Sequence, residues 1–225
     1  MKPSDTIRAV VFDLDGLMFD TEALFFRVAG EMLAARGKVF TSEIMRAMIG
    51  RRSLEVGNLF RTMAGLDEPE EVLLAEVRAR FFAEVDTAVH PTPGLMVLLA
   101  HLGRRSLPLA VATSSGRAYA DRLLSAHGLA ERFDFVLASE DVTLGKPDPE
   151  IYRKAVERFG LPADSVLVLE DSPAGLAAAK GAGTLAVGVP HDHSPAVGLR
   201  AADLIVPRLD HPALLALLDG ESAHD

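Results

Sequence analysis

The sequence predicts an α/β protein, a doubly wound parallel sheet with a helical domain inserted behind its first strand. Three observations predict it. Short apolar runs recur at Ala9 to Phe12, Leu107 to Thr113 and Val166 to Leu169, and read as strands buried on both faces. From Leu95 onward such runs alternate with stretches that are apolar at helical spacing, the pattern of a parallel sheet with crossover helices. Between the first two runs lie four helix-like stretches in succession, with no strand-like one among them.

In chain order, Ala9 to Phe12 is a strand that breaks into Asp13-Leu-Asp-Gly16. Thr21 to Gly37 is apolar at Leu24, Phe25, Val28, Met32 and Leu33, which predicts a helix stopped by Gly37. Thr41 or Ser42 can cap a second helix through Met48 with Gly50 after it, and Ser53 a third from Leu54 to Met63. Pro69 to Val85 is a fourth, with Glu70 and Glu71 in the first turn, where the helix dipole favours them. His90-Pro-Thr-Pro-Gly94 then breaks the helical run. Beyond it, helices are expected over Leu95 to Leu102, Arg117 to His127, Asp148 to Phe159, Pro173 to Lys180 and Pro212 to Leu218. Strands are expected at Phe133 to Ala138, Thr184 to Val189 and Leu204 to Val206, and a polar loop over Ser139 to Pro147. The domain boundaries follow: 1–20 with 91–225 as the sheet domain, and 21–90 as the helical one.

The chain has 225 residues, 49% of them hydrophobic, and a formal net charge of −9 with no basic run. That balance argues against nucleic-acid binding and against anchoring on an anionic membrane. Cysteine is absent, which removes disulfides, thiolate metal sites and thiol catalysis. No signal peptide and no bilayer-spanning run is evident, so a cytoplasmic protein is expected. No coiled-coil or self-association stretch stands out, and a monomer is expected.

In a doubly wound sheet the site lies beyond the carboxyl ends of the strands. Three strand ends here carry polar clusters: Asp13 with Asp15, Thr113 with Ser114, and Glu170 with Asp171. Lys146 precedes a helix start. Each has an ordinary reading alone: an Asp-Gly turn, a helix cap, a solvated lysine. One chemistry covers all four. Asp13, Asp15, Glu170 and Asp171 offer hard oxygen ligands for Mg²⁺. Thr113, the amides near Ser114, and Lys146 offer donors for phosphate oxygens. A carboxylate attacking phosphorus needs such neutralisation.

The ordered set Asp13-Leu-Asp-Gly16, Thr113, Lys146 within Gly145-Lys-Pro-Asp-Pro149, and Glu170-Asp171-Ser172 resembles the haloacid dehalogenase-like hydrolase superfamily. Within it, the chain looks like the helical-cap subfamily and its phosphosugar phosphatase and β-phosphoglucomutase group. The resemblance spans nearly the whole chain. It implies a Rossmann-like core, Mg²⁺ and an aspartyl-phosphate intermediate. It casts Asp13 as nucleophile and metal ligand. Asp15 becomes the acid–base, ligating the metal through its backbone carbonyl. Thr113, Ser114 and Lys146 take the phosphoryl group, and Asp171 the metal, with Glu170 alongside directly or through water. In the cap, Gly50-Arg51 matches a loop that reaches the substrate in relatives, and a plain surface arginine is the alternative for Arg51.

The resemblance also bears on the reaction. Related mutases carry a His five residues after the position of Asp20; here Phe25 stands there, as in the phosphatases. A dehalogenase is disfavoured because those enzymes lack an Asp at the position of Asp15. Phosphonate hydrolysis needs a cap Lys, and Lys38 after Gly37 suits that poorly. The expectation is an Mg²⁺-dependent phosphatase of a small phosphorylated metabolite, a sugar phosphate or a nucleotide-derived phosphate. A phosphosugar mutase and a non-catalytic phosphometabolite-binding protein are the alternatives. The linkers at Met18 to Thr21 and His90 to Gly94 are expected to form a hinge that closes a lid.

Overall fold

The computed structural model describes residues 7–44, 53–192 and 194–220. The chain divides into two compact units, Met1–Phe19 with Pro91–Asp225 and Asp20–His90.

The first unit is built on a six-stranded sheet of β1 (Ala9–Phe12), β2 (Leu109–Ala112), β3 (Phe135–Leu137), β4 (Val166–Glu170), β5 (Leu185–Gly188) and β6 (Leu204–Ile205), in the order β3-β2-β1-β4-β5-β6. Every pairing is parallel. β1, β2 and β4 are buried along their whole length, which is why they read as unbroken apolar runs rather than as alternating ones. The order runs outward from β1 in both directions, so the topological switch lies beside β1. Register does the rest. Phe12 is opposite Val111 on one side and Leu169 on the other, so the residues just past these three strands meet at one edge.

Among the described residues this unit has five α-helices outside the region between β1 and β2's preceding helix: α4 (Leu95–Arg104), α5 (Arg117–Ala126), α6 (Glu150–Phe159), α7 (Pro173–Gly181) and α8 (Pro212–Asp219). Helix α6 has a strongly one-sided pattern that buries Ile151, Tyr152 and Ala155. Its start differs slightly from expectation. Pro149 stands just before the helix, and Asp148 reaches past it to accept from Glu150 N at 2.9 Å. The loop expected over Ser139 to Pro147 contains a 3₁₀ turn, Ser139–Asp141, because Asp141 Oδ2 turns back to accept from Ala138 N at 2.7 Å.

The second unit holds α1 (Thr21–Ala34), α2 (Ser53–Ala64) and α3 (Glu70–Ala88). Asp20 caps α1 through Ala23 N at 3.1 Å. Residues 42–44 are also helical, with Thr41 Oγ1 accepting from Ile44 N at 3.2 Å. The rest of that expected helix, to Met48 and Gly50, lies outside the described residues. α1 packs on α3, burying Val28, Met32 and Leu33 of the one and Leu73 and Val77 of the other. Phe40 joins the helices through ring contacts with Phe25, Phe26 and Phe60. Arg36 bridges Glu68 and Glu76 at 2.8 and 2.7 Å. No helix among the described residues is long and apolar enough to cross a membrane.

Candidate active site

Four carboxylates and one ammonium gather beyond the strand ends, and two of the carboxylates, Asp13 and Glu170, bond the ammonium. Asp13 follows β1 directly, and its amide is fixed by Leu169 O at 3.0 Å. Lys146 reaches in from the loop before α6 to bond Asp13 Oδ1, Ala112 O at 3.0 Å and Glu170 Oε1 at 2.6 Å. The Lys146–Pro147 peptide is cis. The Lys146 side chain is 5% exposed, so the ammonium is held by protein groups rather than by bulk water. Taking it out of water costs several kcal/mol, on the order that only such close partners offset.

Glu170 is fully buried at the end of β4. Besides Lys146, its Oε1 accepts from Tyr152 OH at 2.6 Å. Its Oε2 accepts from Ser172 Oγ, Ser172 N and Asp171 N at 2.9, 3.1 and 3.2 Å. Gly175 makes room for this: a Cβ there would sit 1.7 Å from Glu170 Oε1. The Tyr152 ring also lies 5.0 Å from Lys146 Nζ, a cation–π contact.

Asp171 is 4% exposed, and its Oδ2 is 2.9 Å from His191 Nε2. The loop carrying Asp15 passes close by. Gly16 has φ +83°, and a Cβ on it would lie 2.5 Å from Asp171 Oδ2, so glycine is required on both counts.

Among the described residues, Asp15 meets hydroxyls instead of a cation. Ser115 Oγ donates to its Oδ2 at 2.7 Å, Tyr119 OH to Oδ1 at 2.9 Å, and Thr113 Oγ1 lies 3.4 Å from Oδ2. Thr113 is buried at the end of β2, and its Oγ1 accepts from Ser115 N at 3.0 Å, which folds the loop. Ser114 is exposed on that loop.

Burial pushes the Asp13 carboxyl well above the usual carboxylate range. Lys146 pulls it down without prevailing, because Glu170, Asp171 and Asp15 add to the rise. Burial works against the Lys146 ammonium too, but Asp13 and Glu170 hold its proton and carry its pKa well above the usual value. Tyr152 is raised by burial and by Glu170. The balance of four carboxylates against one ammonium, all hard oxygen donors, fits a bound divalent cation.

Of the residues singled out from the sequence, Asp13, Asp15, Thr113, Lys146, Glu170 and Asp171 come together here, with Ser114 on the adjoining loop. Arg51 lies outside the described residues. Tyr119, Tyr152, His191 and the particular role of Ser115 carry no such signal in the sequence. Ser115 stood within a visible polar cluster, and the chain has only two tyrosines, but nothing in their spacing points to a carboxylate.

The family model for the haloacid dehalogenase-like hydrolases matches residues 10–189. The validoxylamine A 7'-phosphate phosphatase of Streptomyces hygroscopicus subsp. limoneus is 32% identical over 203 residues, covering 90% of this chain and 94% of that protein. A phosphorylated carbohydrates phosphatase of Thermotoga maritima is 33% identical over 182 residues, covering 79% and 82%. Among solved structures, CbbY from Rhodobacter sphaeroides in complex with phosphate is similar with a TM-score of 0.77 and 29% identity, covering 95% of this chain and 100% of that one. With its motifs converging at one edge of the sheet and a match across most of its length, the chain belongs to the haloacid dehalogenase-like hydrolase family.

Proposed function

We propose that the chain is a phosphoric monoester hydrolase that removes phosphate from a small phosphorylated metabolite of the phosphosugar class, through an aspartyl-phosphate on Asp13. One observation carries this reading: the buried Asp13 is tied through a single oxygen to Lys146, with a second, differently held carboxylate two residues on. The phosphosugar class rests on the relatives named as phosphatases of phosphorylated carbohydrates and of validoxylamine A 7'-phosphate.

Lys146 engages Asp13 Oδ1, which leaves Oδ2 to attack phosphorus. Thr113, the Ser114 loop and Lys146 receive the transferring group. As Oδ2 bonds to phosphorus, the bond to the leaving oxygen breaks and Asp15 gives that oxygen its proton. The Asp15 carboxylate then takes a proton from water as the water oxygen attacks phosphorus. The Asp13 Oδ2–phosphorus bond breaks, inorganic phosphate leaves, and both aspartates return to their starting states. Asp13, Asp171 and the main-chain carbonyl of Asp15 would hold Mg²⁺. When bound, Mg²⁺ supplies positive charge against the carboxylates and the phosphate oxygens. Glu170, which accepts from Lys146, Tyr152 and the Ser172 turn, would stand alongside, directly or through water.

Water is favoured over a second sugar phosphate as the acceptor. Phe25, at the position where the resemblance gives mutases a histidine, packs on Phe40 at a ring separation of 6.2 Å and offers no proton-transferring group. Selection of the leaving group is assigned to the helical unit, and for Arg51 that assignment rests on sequence alone. The test is phosphate release from a panel of phosphorylated sugars, polyols and nucleotides with Mg²⁺, alongside glucose 1-phosphate isomerisation primed by a bisphosphate. Release from sugar phosphates that stops in chelator is expected. Isomerisation without net release would replace the phosphatase by a mutase, and binding without either reaction would leave a phosphometabolite-binding protein.

A further inference from the structure

The acid–base cycle asks one side chain to be comfortable both with and without its proton. The surroundings of Asp15 meet that demand. Among the described residues its side-chain hydrogen-bond partners are all hydroxyls: Tyr119 OH on Oδ1 at 2.9 Å, Ser115 Oγ on Oδ2 at 2.7 Å, and Thr113 Oγ1 at 3.4 Å. A hydroxyl donates to a carboxylate and, by rotating, accepts from a carboxylic acid. An ammonium or guanidinium can do only the first and would hold Asp15 as the anion.

Tyr119 differs from the other two in how it is mounted. Thr113 and Ser115 belong to the loop that follows β2, whereas Tyr119 sits in the first turn of α5. That turn is tied down at its start, where Glu140 accepts from Arg117 N at 2.9 and 3.0 Å and Gly116 O accepts from Tyr119 N at 3.1 Å. Tyr119 is also the one partner on Oδ1 among these contacts, so it fixes the rotation of the carboxylate plane that Ser115 alone leaves open.

We infer that Tyr119 is a positioning residue for general acid–base catalysis, its hydroxyl fixing the orientation of Asp15 in both protonation states. This rests on the reading of Asp15 as the acid–base given above. The side chain need not touch substrate for the role. Its loss should weaken proton transfer and leave attack by Asp13 in place.

The experiment compares p-nitrophenyl phosphate with phenyl phosphate in the presence of Mg²⁺, for the unsubstituted enzyme, Tyr119→Phe and Asp15→Asn. Phenol is the weaker acid and so the leaving group that needs a proton, whereas p-nitrophenolate departs without one. General acid–base groups are worth about 10²–10⁴-fold, so loss of an orienting contact should forfeit part of that. Tyr119→Phe is expected to lower kcat/KM for phenyl phosphate about tenfold and to leave that for p-nitrophenyl phosphate within about twofold, with unchanged Tm. Asp15→Asn should show the same asymmetry, larger, with a loss of about a hundredfold or more on phenyl phosphate. Equal losses in kcat/KM, which reports the chemistry up to departure of the phenol, on both substrates in Asp15→Asn would remove the acid–base reading and this inference with it. Asymmetry in Asp15→Asn but none in Tyr119→Phe would overturn the role of Tyr119 alone. Should Tyr119→Phe fail to fold, Tyr119→Met, which also lacks the hydroxyl and suits a helix, is read by the same ratio.

Discussion

Asp13 and Asp15 leave the same strand two residues apart, and the protein treats them in opposite ways. Asp13 is buried against an ammonium, with Lys146 on one oxygen and Glu170 and Asp171 crowding from the side. Asp15 is partly exposed and rests among neutral hydroxyls. The ammonium favours the ionised, attacking form of Asp13 against a burial that pushes its carboxyl the other way. Hydroxyls suit one that must exchange a proton. Residue type is identical at the two positions, so the different roles proposed for them rest on the surroundings.

The sharpest way to break the contrast is to make Asp13 unable to attack. Asp13→Asn is nearly isosteric but cannot form the acyl phosphate. Turnover should fall more than about a hundredfold with the fold intact by circular dichroism. Residual activity above about one per cent of the unsubstituted enzyme would count against the nucleophile.

Next in size is the cation itself. Lys146→Met leaves Asp13 and Glu170 buried without their shared ammonium. Removing one partner of a buried pair costs about 3–5 kcal/mol, and denaturant unfolding should show a loss of that order together with loss of activity. Adding Glu170→Gln to Lys146→Met should recover part of the stability and none of the activity. A Lys146→Met protein as stable as the original would mean that Lys146 is not the charge balancing this pocket.

These residues also mark what was legible beforehand. The strands of the core read clearly because a two-sided buried strand must be apolar throughout, and a carboxylate breaking such a run at Asp13 or Glu170 is conspicuous. Helical spacing gave α1, α3, α4 and α7 to within a few residues. Side-chain partners did not read out. Tyr119 is 104 positions from Asp15, and Tyr152 is 18 from Glu170. Their meeting depends on how α5 and α6 are rotated over the sheet, which no local pattern encodes. The tight fit of Gly175 over Glu170 was hidden for the same reason, since a glycine in the first turn of a helix has many explanations.

A third prediction uses pH and metal together. The Asp13 carboxyl has a raised pKa in the folded chain, so the metal-free protein gains stability from holding that proton at low pH and loses it as pH rises through the folded value. A divalent cation must displace the proton, and its binding therefore weakens as pH falls. Melting in Mg²⁺ minus melting in chelator should give a difference in Tm that grows with pH between about 5 and 8. Ca²⁺ should bind and inhibit, because it takes more and longer oxygen contacts than Mg²⁺. A Tm difference that is flat with pH would uncouple Asp13 from the metal.

The smallest expected effect tests how Lys146 is delivered. The loop ahead of it is tethered by Glu150, whose Oε2 accepts from Thr143 N at 3.0 Å and Leu144 N at 2.8 Å, while Oε1 pairs with Lys154 at 2.7 Å. Lys154 itself donates to Asp141 O at 2.6 Å, closing the loop from the other side. The Lys154 bond first, and then the two amides, hold the Glu150 carboxyl down to about 2. The sign follows from that depression. The contribution is complete above the ordinary glutamate range and is lost as pH falls through about 2. The group is partly exposed, so the stability at stake is slight, and Glu150→Gln should lower Tm at neutral pH by about 1–2 °C. That difference should shrink in acid, where the unsubstituted Glu150 is also neutral. The catalytic effect should be a fewfold fall in kcat with KM little changed, since the loop moves Lys146 slightly without removing it. Glu150→Gln with unaltered kcat would show that Lys146 is held by Asp13, Ala112 O and Glu170 alone, and that the loop needs no tether to deliver it.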